Sequence, residues 1–185
     1  MATVFTHALV GATLGQLAGS ELRRKPAFWV AAVLCSILPD IDVIGFSFGI
    51  HYGDLWGHRG MTHSLLFAAL VASCLAVLLG NSLQERGILA GLLFVITASH
   101  GALDALTNGG LGVAFFSPFN PVRYFFPWRP ILVSPIGMGG LFSARAIHVL
   151  WSEIPWVWVP AAVVTAAIWL LRPTRPAKPE PPILK

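Results

Sequence analysis

A chain of 185 residues is long enough for one domain with a sizeable interior and too short to expect two. Apolar residues make up 56% of it and charged residues only 11%, against roughly a quarter charged in a soluble globule, so lipid is expected to be part of its solvent. The net charge of +4 comes from few charges, several in short clusters, which reads as a membrane topology signal and not as a nucleic-acid surface.

The first apolar segment covers residues 3–19 and is rich in small residues. The first basic residue, Arg23, lies beyond it, so the segment lacks the basic start of a secretory leader and is expected to remain in the protein. Gly11, Gly15 and Gly19 recur at four-residue spacing, with His7 one step earlier on the same row. Small residues at that spacing let helices approach closely in a membrane, so the row predicts an inward face that carries His7 with it. A second segment, 26–38, is apolar but short, and suits a span if its flanking basic side chains reach back to the interface.

Three firmer spans follow at 64–79, 87–106 and 155–171, each near the roughly 17 to 25 residues that cross a bilayer. Between them, residues 107–152 break into glycine, proline and the aromatic run FFSPFNPVRYFFPWRP. Irregular backbone cannot face hydrocarbon with its amides unpaired, so this stretch is expected to be an interfacial lid, with a short interfacial helix. The chain is thus read as an all-α, polytopic transmembrane bundle of about five helices. Residues 1–171 form one membrane-embedded domain and 172–185 a proline-rich, extended tail. Cys35 and Cys74 lie in apolar stretches without C-x-x-C spacing and are read as packing residues.

Consecutive spans alternate direction, and that alone collects the polar residues. His7 opens the first helix, Asp40 and Asp42 follow the second, His58 and His63 precede the third, and His100 and Asp104 close the fourth. All reach the same end of the bundle. His100 and Asp104, four apart, share a helical face. Pro39 discourages continuation of the second helix, so that an extended exit sends Asp40 and Asp42 to the same side. His58 and His63, five apart, cannot share a helical face, and Gly60 allows a loop that brings both round. Asp54 is near enough to orient a liganding histidine, or with His51 forms ordinary loop polarity. His148 and Arg145 carry no assignment.

Imidazole and carboxylate without thiolate favour a divalent metal, zinc first and manganese or iron next, held as one or two ions. Asp40 or Asp42 is a candidate base instead of ligand, and Arg123 and Arg129 in the lid are candidates to hold a phosphate oxygen through paired hydrogen bonds or to anchor the lid at the headgroup layer. Two other readings of the same residues stand beside this one: a membrane metal-ion or proton transporter, and a structural polar cap that docks a partner. A transporter predicts polar groups spread through the membrane depth, whereas these gather at one end.

The motifs LPDID, HRGMTHS and SHGALDALT, with His7 ahead of them and PFNPVRYFFPWRP after, resemble the bacterial membrane-bound metal-dependent hydrolases, also called the LexA-regulated inner-membrane hydrolases. The resemblance covers roughly residues 6–135. It implies a location in the bacterial inner membrane and hydrolase activity. The order of histidine, aspartate, histidine and His-x-x-x-Asp is also similar to the zinc-dependent phospholipase C and nuclease group. By that likeness His7, Asp40 or Asp42, His58 or His63, and His100 with Asp104 take metal-ligand positions, and the substrate is a phosphoester of a lipid or lipid-linked molecule. The chain departs from that group in lacking a later histidine and glutamate pair, since His148 and Glu153 fit its spacing poorly.

Basic residues set the expected orientation. Arg23, Arg24, Lys25, Arg86, Arg172, Arg175 and Lys178 fall at the end opposite the site, and Arg59, Arg123, Arg129 and Arg145 on its side. Positive residues in short loops stay in the cytoplasm, which predicts a site on the outer face, Trp29 and Trp169 at the inner interface, and Trp151 and Trp156 at the outer one.

Overall fold

In the computed structural model, residues 1–136 and 144–172 are described. The first helix, α1 (Val4–Gly15), starts where the Thr3 side chain accepts a hydrogen bond from the Thr6 amide, a standard way to satisfy an orphan amide. A single turn, α2 (Ser20–Arg23), leads to α3 (Pro26–Ile37), whose proline sits in the first turn where no amide partner is needed. At Pro39 the α-helix tightens into a 3-10 helix, Leu38–Phe48, which ends at Gly49 in the left-handed region (φ 78°). A 3-10 turn, Met61–His63, precedes α4 (Leu65–Leu79), and Ser64 and Ser82 cap α4 and α5 (Leu83–Ala105) by accepting from the amides of Phe67 and Glu85. The last span runs from α6 (Ala144–Glu153) through a π-helical turn, Ile154–Trp158, into α7 (Val159–Leu170). Pro155 and Pro160 have no amide hydrogen to give to the usual ladder, and the wider turn contains the first and ends just before the second.

By length and composition three helical stretches can cross a membrane, Pro26–Phe48, Leu83–Ala105 and Ala144–Leu170, and two shorter apolar helices, Val4–Gly15 and Leu65–Leu79, complete the bundle. α4 lies along α5 and α1 along α3, while α3 and α1 both cross α5 and α7 closes on α1. Gly11 is where α1 meets α3: a β-carbon there would lie 2.6 Å from the Ser36 side chain, and one at Gly15 would lie 2.9 Å from the Trp29 ring. Gly19 leaves this row. It follows the end of α1 and would meet nothing within 4 Å.

The interior below the polar end is apolar, built on Phe28, Ala32, Leu89, Leu93 and Ile96. The lid has no strand among the described residues, yet backbone hydrogen bonds tie it down: Val113 and Tyr124 exchange them, Ala114 donates to the Arg59 carbonyl, Leu65 to that of Phe115 and Phe126 to that of Ala105. It thus folds over the ends of α4 and α5. The helix in the last part of this stretch, α6, is not a separate interfacial helix but the start of the last span, Ala144–Leu170, with Ala146, Val149 and Glu153 inward and Ile147 and Trp151 exposed. The expected tail, with Arg175 and Lys178, lies outside the described residues.

Candidate metal centre

Four ligand atoms from three elements meet at the polar end. His100 Nε2 lies 3.1 Å from His63 Nε2 and 3.4 Å from Asp40 Oδ1, while His63 Nε2 lies 3.7 Å from Asp40 Oδ1 and 3.6 Å from Asp104 Oδ2. Donor atoms held at about 2.0–2.2 Å around a tetrahedral zinc are separated by about 3.3–3.6 Å. These four spacings bracket that range, and the ligand atoms of the four residues all lie within 4.8 Å of one another. α5 supplies His100 and Asp104 from one face, the 3-10 helix after α3 supplies Asp40, and the turn before α4 supplies His63.

The nitrogens that face this point are fixed from behind. His100 Nδ1 is 2.7 Å from the Ser36 carbonyl oxygen, which can only accept, so Nδ1 carries the proton and Nε2 offers its lone pair. Asp42 performs the same service for the loop histidines. Its Oδ1 accepts from His58 Nδ1 at 2.8 Å, and its Oδ2 accepts from Thr62 Oγ1 at 2.6 Å and the Arg59 amide at 3.2 Å and lies 3.2 Å from His63 Nδ1. Asp42 with His58 and His63 also satisfies metal-binding proximity, with its two oxygens accepting three hydrogen bonds between them.

Asp40 differs from Asp42. Both its oxygens lack a hydrogen-bond donor although they are buried, as do His58 Nε2 and both ring nitrogens of His7. Its side chain is 12% exposed, whereas His58, His63, His100 and Asp104 are sealed. Orphaned polar atoms buried together are costly unless something fills their valence, and a nitrogen and oxygen donor set of this kind fits a divalent cation.

His7 enters from α1 and stacks on His100, ring centroids 3.7 Å apart, with Nε2 3.5 Å from Asp104 Oδ1. It lies beside the four-atom group, not in it. Burial pushes the His63 imidazolium down, but Asp104, Asp40 and Asp42 around it outweigh burial and hold its pKa up at about 10. His58, beside one hydrogen-bonded carboxylate, is lowered, chiefly by burial.

The lid arginines stand elsewhere. Arg123 donates to the carbonyls of His58, Tyr52 and Asp54 and lies over the Tyr52 ring, so it ties the 51–59 loop to the lid. Arg129 is exposed, over the Phe125 ring at 4.8 Å. Asp54 accepts from the His51 amide and orients no ligand, and His51 and His148 are exposed.

Two residues that sequence reasoning left unassigned are central. Arg59, counted above only as a site-side charge, is fully buried and donates to Asp104, Thr107 and Gly109. Its position between His58 and Gly60 in HRGMTHS was the available signal. Glu153, fully buried on α6, accepts from the Thr3 amide and hydroxyl and from the Thr6 hydroxyl at the start of α1. It thereby fastens the last span to the helix that carries His7.

The model of the family described as YdjM inner membrane protein matches residues 1–175. The chain is also 37% identical over 174 residues to a protein of Escherichia coli (strain K12) described as "Inner membrane protein YbcI", covering 93% of this chain and 99% of that one. No solved structure matches.

Proposed function

We propose that this chain, which belongs to the YdjM inner membrane protein family, is a metal-dependent hydrolase acting on a phosphoester of a lipid or lipid-linked molecule at one face of the inner membrane. The observation that carries the reading is the convergence of four buried donor atoms, with His63 Nε2 3.1–3.7 Å from His100 Nε2, Asp104 Oδ2 and Asp40 Oδ1.

His63, His100 and Asp104 hold the ion, zinc first among the candidates, and Asp40 stands at the accessible edge. A bound divalent ion lowers the pKa of water and polarises a phosphoryl oxygen. Asp40, with two oxygens free of donors, is placed either to complete the ligand set or to take a proton from water at the open side. Asp42 orients His58 and His63, and the Ser36 carbonyl orients His100. The lid excludes bulk water from behind.

The class of substrate follows from the surroundings. Ile41, Ile44, Phe48, Leu55 and Trp56 are exposed around the site end, an apolar rim at the depth where lipid headgroups meet acyl chains. The apolar interior beneath the centre favours chemistry at one face over a path through the membrane. Protein purified in detergent is expected to carry a stoichiometric divalent metal and to release the phosphorylated head from a lipid phosphoester, with loss of turnover on chelation and recovery on adding zinc. Bound metal with no turnover across lipid phosphoesters, together with metal flux in proteoliposomes, would replace the hydrolase by the transporter.

A further inference from the structure

Arg59 is an unusual residue to find sealed at the membrane end of a helical bundle. Its guanidinium is 0% exposed and lies inside the group of carboxylates, with Nε 2.9 Å from Asp104 Oδ2 and its other donors on Thr107 Oγ1 and the Gly109 carbonyl. Its backbone takes the left-handed region (φ 63°), a conformation that is strained for a residue other than glycine. That conformation is used at both backbone ends: the amide donates to Asp42 Oδ2, and the carbonyl accepts from Ala114 in the lid. One residue therefore grips the two buried aspartates on either side of His63.

Charge then limits what else the site can hold. Asp40, Asp42 and Asp104 face one permanent cation, Arg59, because burial drives the nearby N-terminal amine toward its neutral form, and buried charges are costly unless they are paired. One divalent ion with neutral imidazoles completes the cancellation; a second would leave an uncompensated excess. The oxygens agree with the charges. Each donor takes one lone pair that a bridging carboxylate would give to a second ion, and Asp42 has each oxygen engaged by a donor, as Asp104 does through the Ala2 amide on Oδ1 and Arg59 on Oδ2. Only Asp40 has both free among the three.

We infer that Arg59 takes the place of a second metal ion, making the centre mononuclear, and that it is a positioning residue that fixes Oδ2, the oxygen Asp104 turns toward the ion, while the Ala2 amide holds Oδ1. This rests on the metal centre proposed above and decides its stoichiometry. The test is titration of the metal-free, detergent-purified full chain with cobalt(II), followed by visible absorption and metal analysis. Wild type is expected to saturate at one cobalt per chain, with no new band on further addition. Arg59→Met removes the donor on Oδ2 and lets the liganding end of Asp104 turn, so the cobalt band should weaken and shift, and Arg59→Lys, which restores the charge, should move it back toward wild type. Two tightly held cobalt ions per wild-type chain would overturn the inference even if the Met variant fails to fold, as would a Met variant with the wild-type spectrum. A wild-type chain that takes no cobalt is a different failure, that of the metal centre itself.

Discussion

Asp104 and Asp42 are both buried carboxylates within 4 Å of His63, yet they serve it from opposite sides: Asp104 faces Nε2, and Asp42 faces Nδ1. Their variants should separate accordingly. Asp104→Ala or His100→Ala is expected to remove most bound metal while the protein still inserts, whereas Asp42→Asn weakens metal affinity by about 10- to 100-fold through misorientation of His58 and His63; metal analysis after dialysis distinguishes the two, and full retention in Asp104→Ala would remove that residue from the ligand set. His63 adds a pH dependence. Its pKa is raised from the ordinary 6.5 to about 10 in the metal-free fold, so the fold gains stability from its proton, fully present below about pH 6.5 and lost as pH rises through 10. Metal-free protein should therefore unfold at progressively lower temperature between those limits, and bound zinc, which displaces the Nε2 proton, should flatten the trend. A metal-free melting curve independent of pH would count against the carboxylate cage around His63.

Helix contacts decide whether those ligands meet at all. α1 brings His7 to the site only because Gly11 lets it approach α3 so closely. Gly11→Ala forces a methyl group against Ser36, whose carbonyl orients His100, and should cost about 1–3 kcal/mol in thermal or denaturant unfolding in detergent. Gly19→Ala, with nothing within 4 Å, should stay within about 0.5 kcal/mol. Equal effects at the two positions would show that the close approach of α1 to α3 is unimportant. At the far end Lys25 pairs with Glu85, and Arg172 donates to Gln16, so the charges that set topology also join the helices there.

Across the bilayer, the molecule is polar at one end and basic at the other. α1 and α7 run from the site end, where Trp158 donates to Thr6, to the far end, where Arg172 reaches Gln16. Arg59 and Arg123 on the site side are engaged inside the fold, so they weigh little in the charge bias, and the cluster of Arg23, Arg24, Lys25 and Arg86 is expected to keep its end in the cytoplasm. Single cysteines at Ser47 and Gln84, in a background lacking Cys35 and Cys74, test this in intact cells. An impermeant reagent should label position 47 and spare position 84, both of which are exposed; the reverse would place the centre in the cytoplasm.

Hydrophobic run lengths alone make the membrane class, the helical bundle and the common end of His7, Asp40, His63, His100 and Asp104 legible, because bilayer thickness and antiparallel connection leave little freedom. Helical periodicity puts His100 with Asp104, and composition excludes a thiolate site. The division of labour among these residues needed the third dimension. Asp40 and Asp42 are two apart in a short polar segment, and nothing local says that one is left with free oxygens while the other is consumed by His58, Thr62 and Arg59. Arg59 looks like any loop charge until the chain closes over it, and Arg123 looks like a phosphate ligand until its donors are found on loop carbonyls. A hydrogen-bond acceptor is chosen by which group arrives within about 3 Å, and residues far apart in the chain, such as Arg59 and Asp104 or Thr3 and Glu153, arrive only when the helices pack.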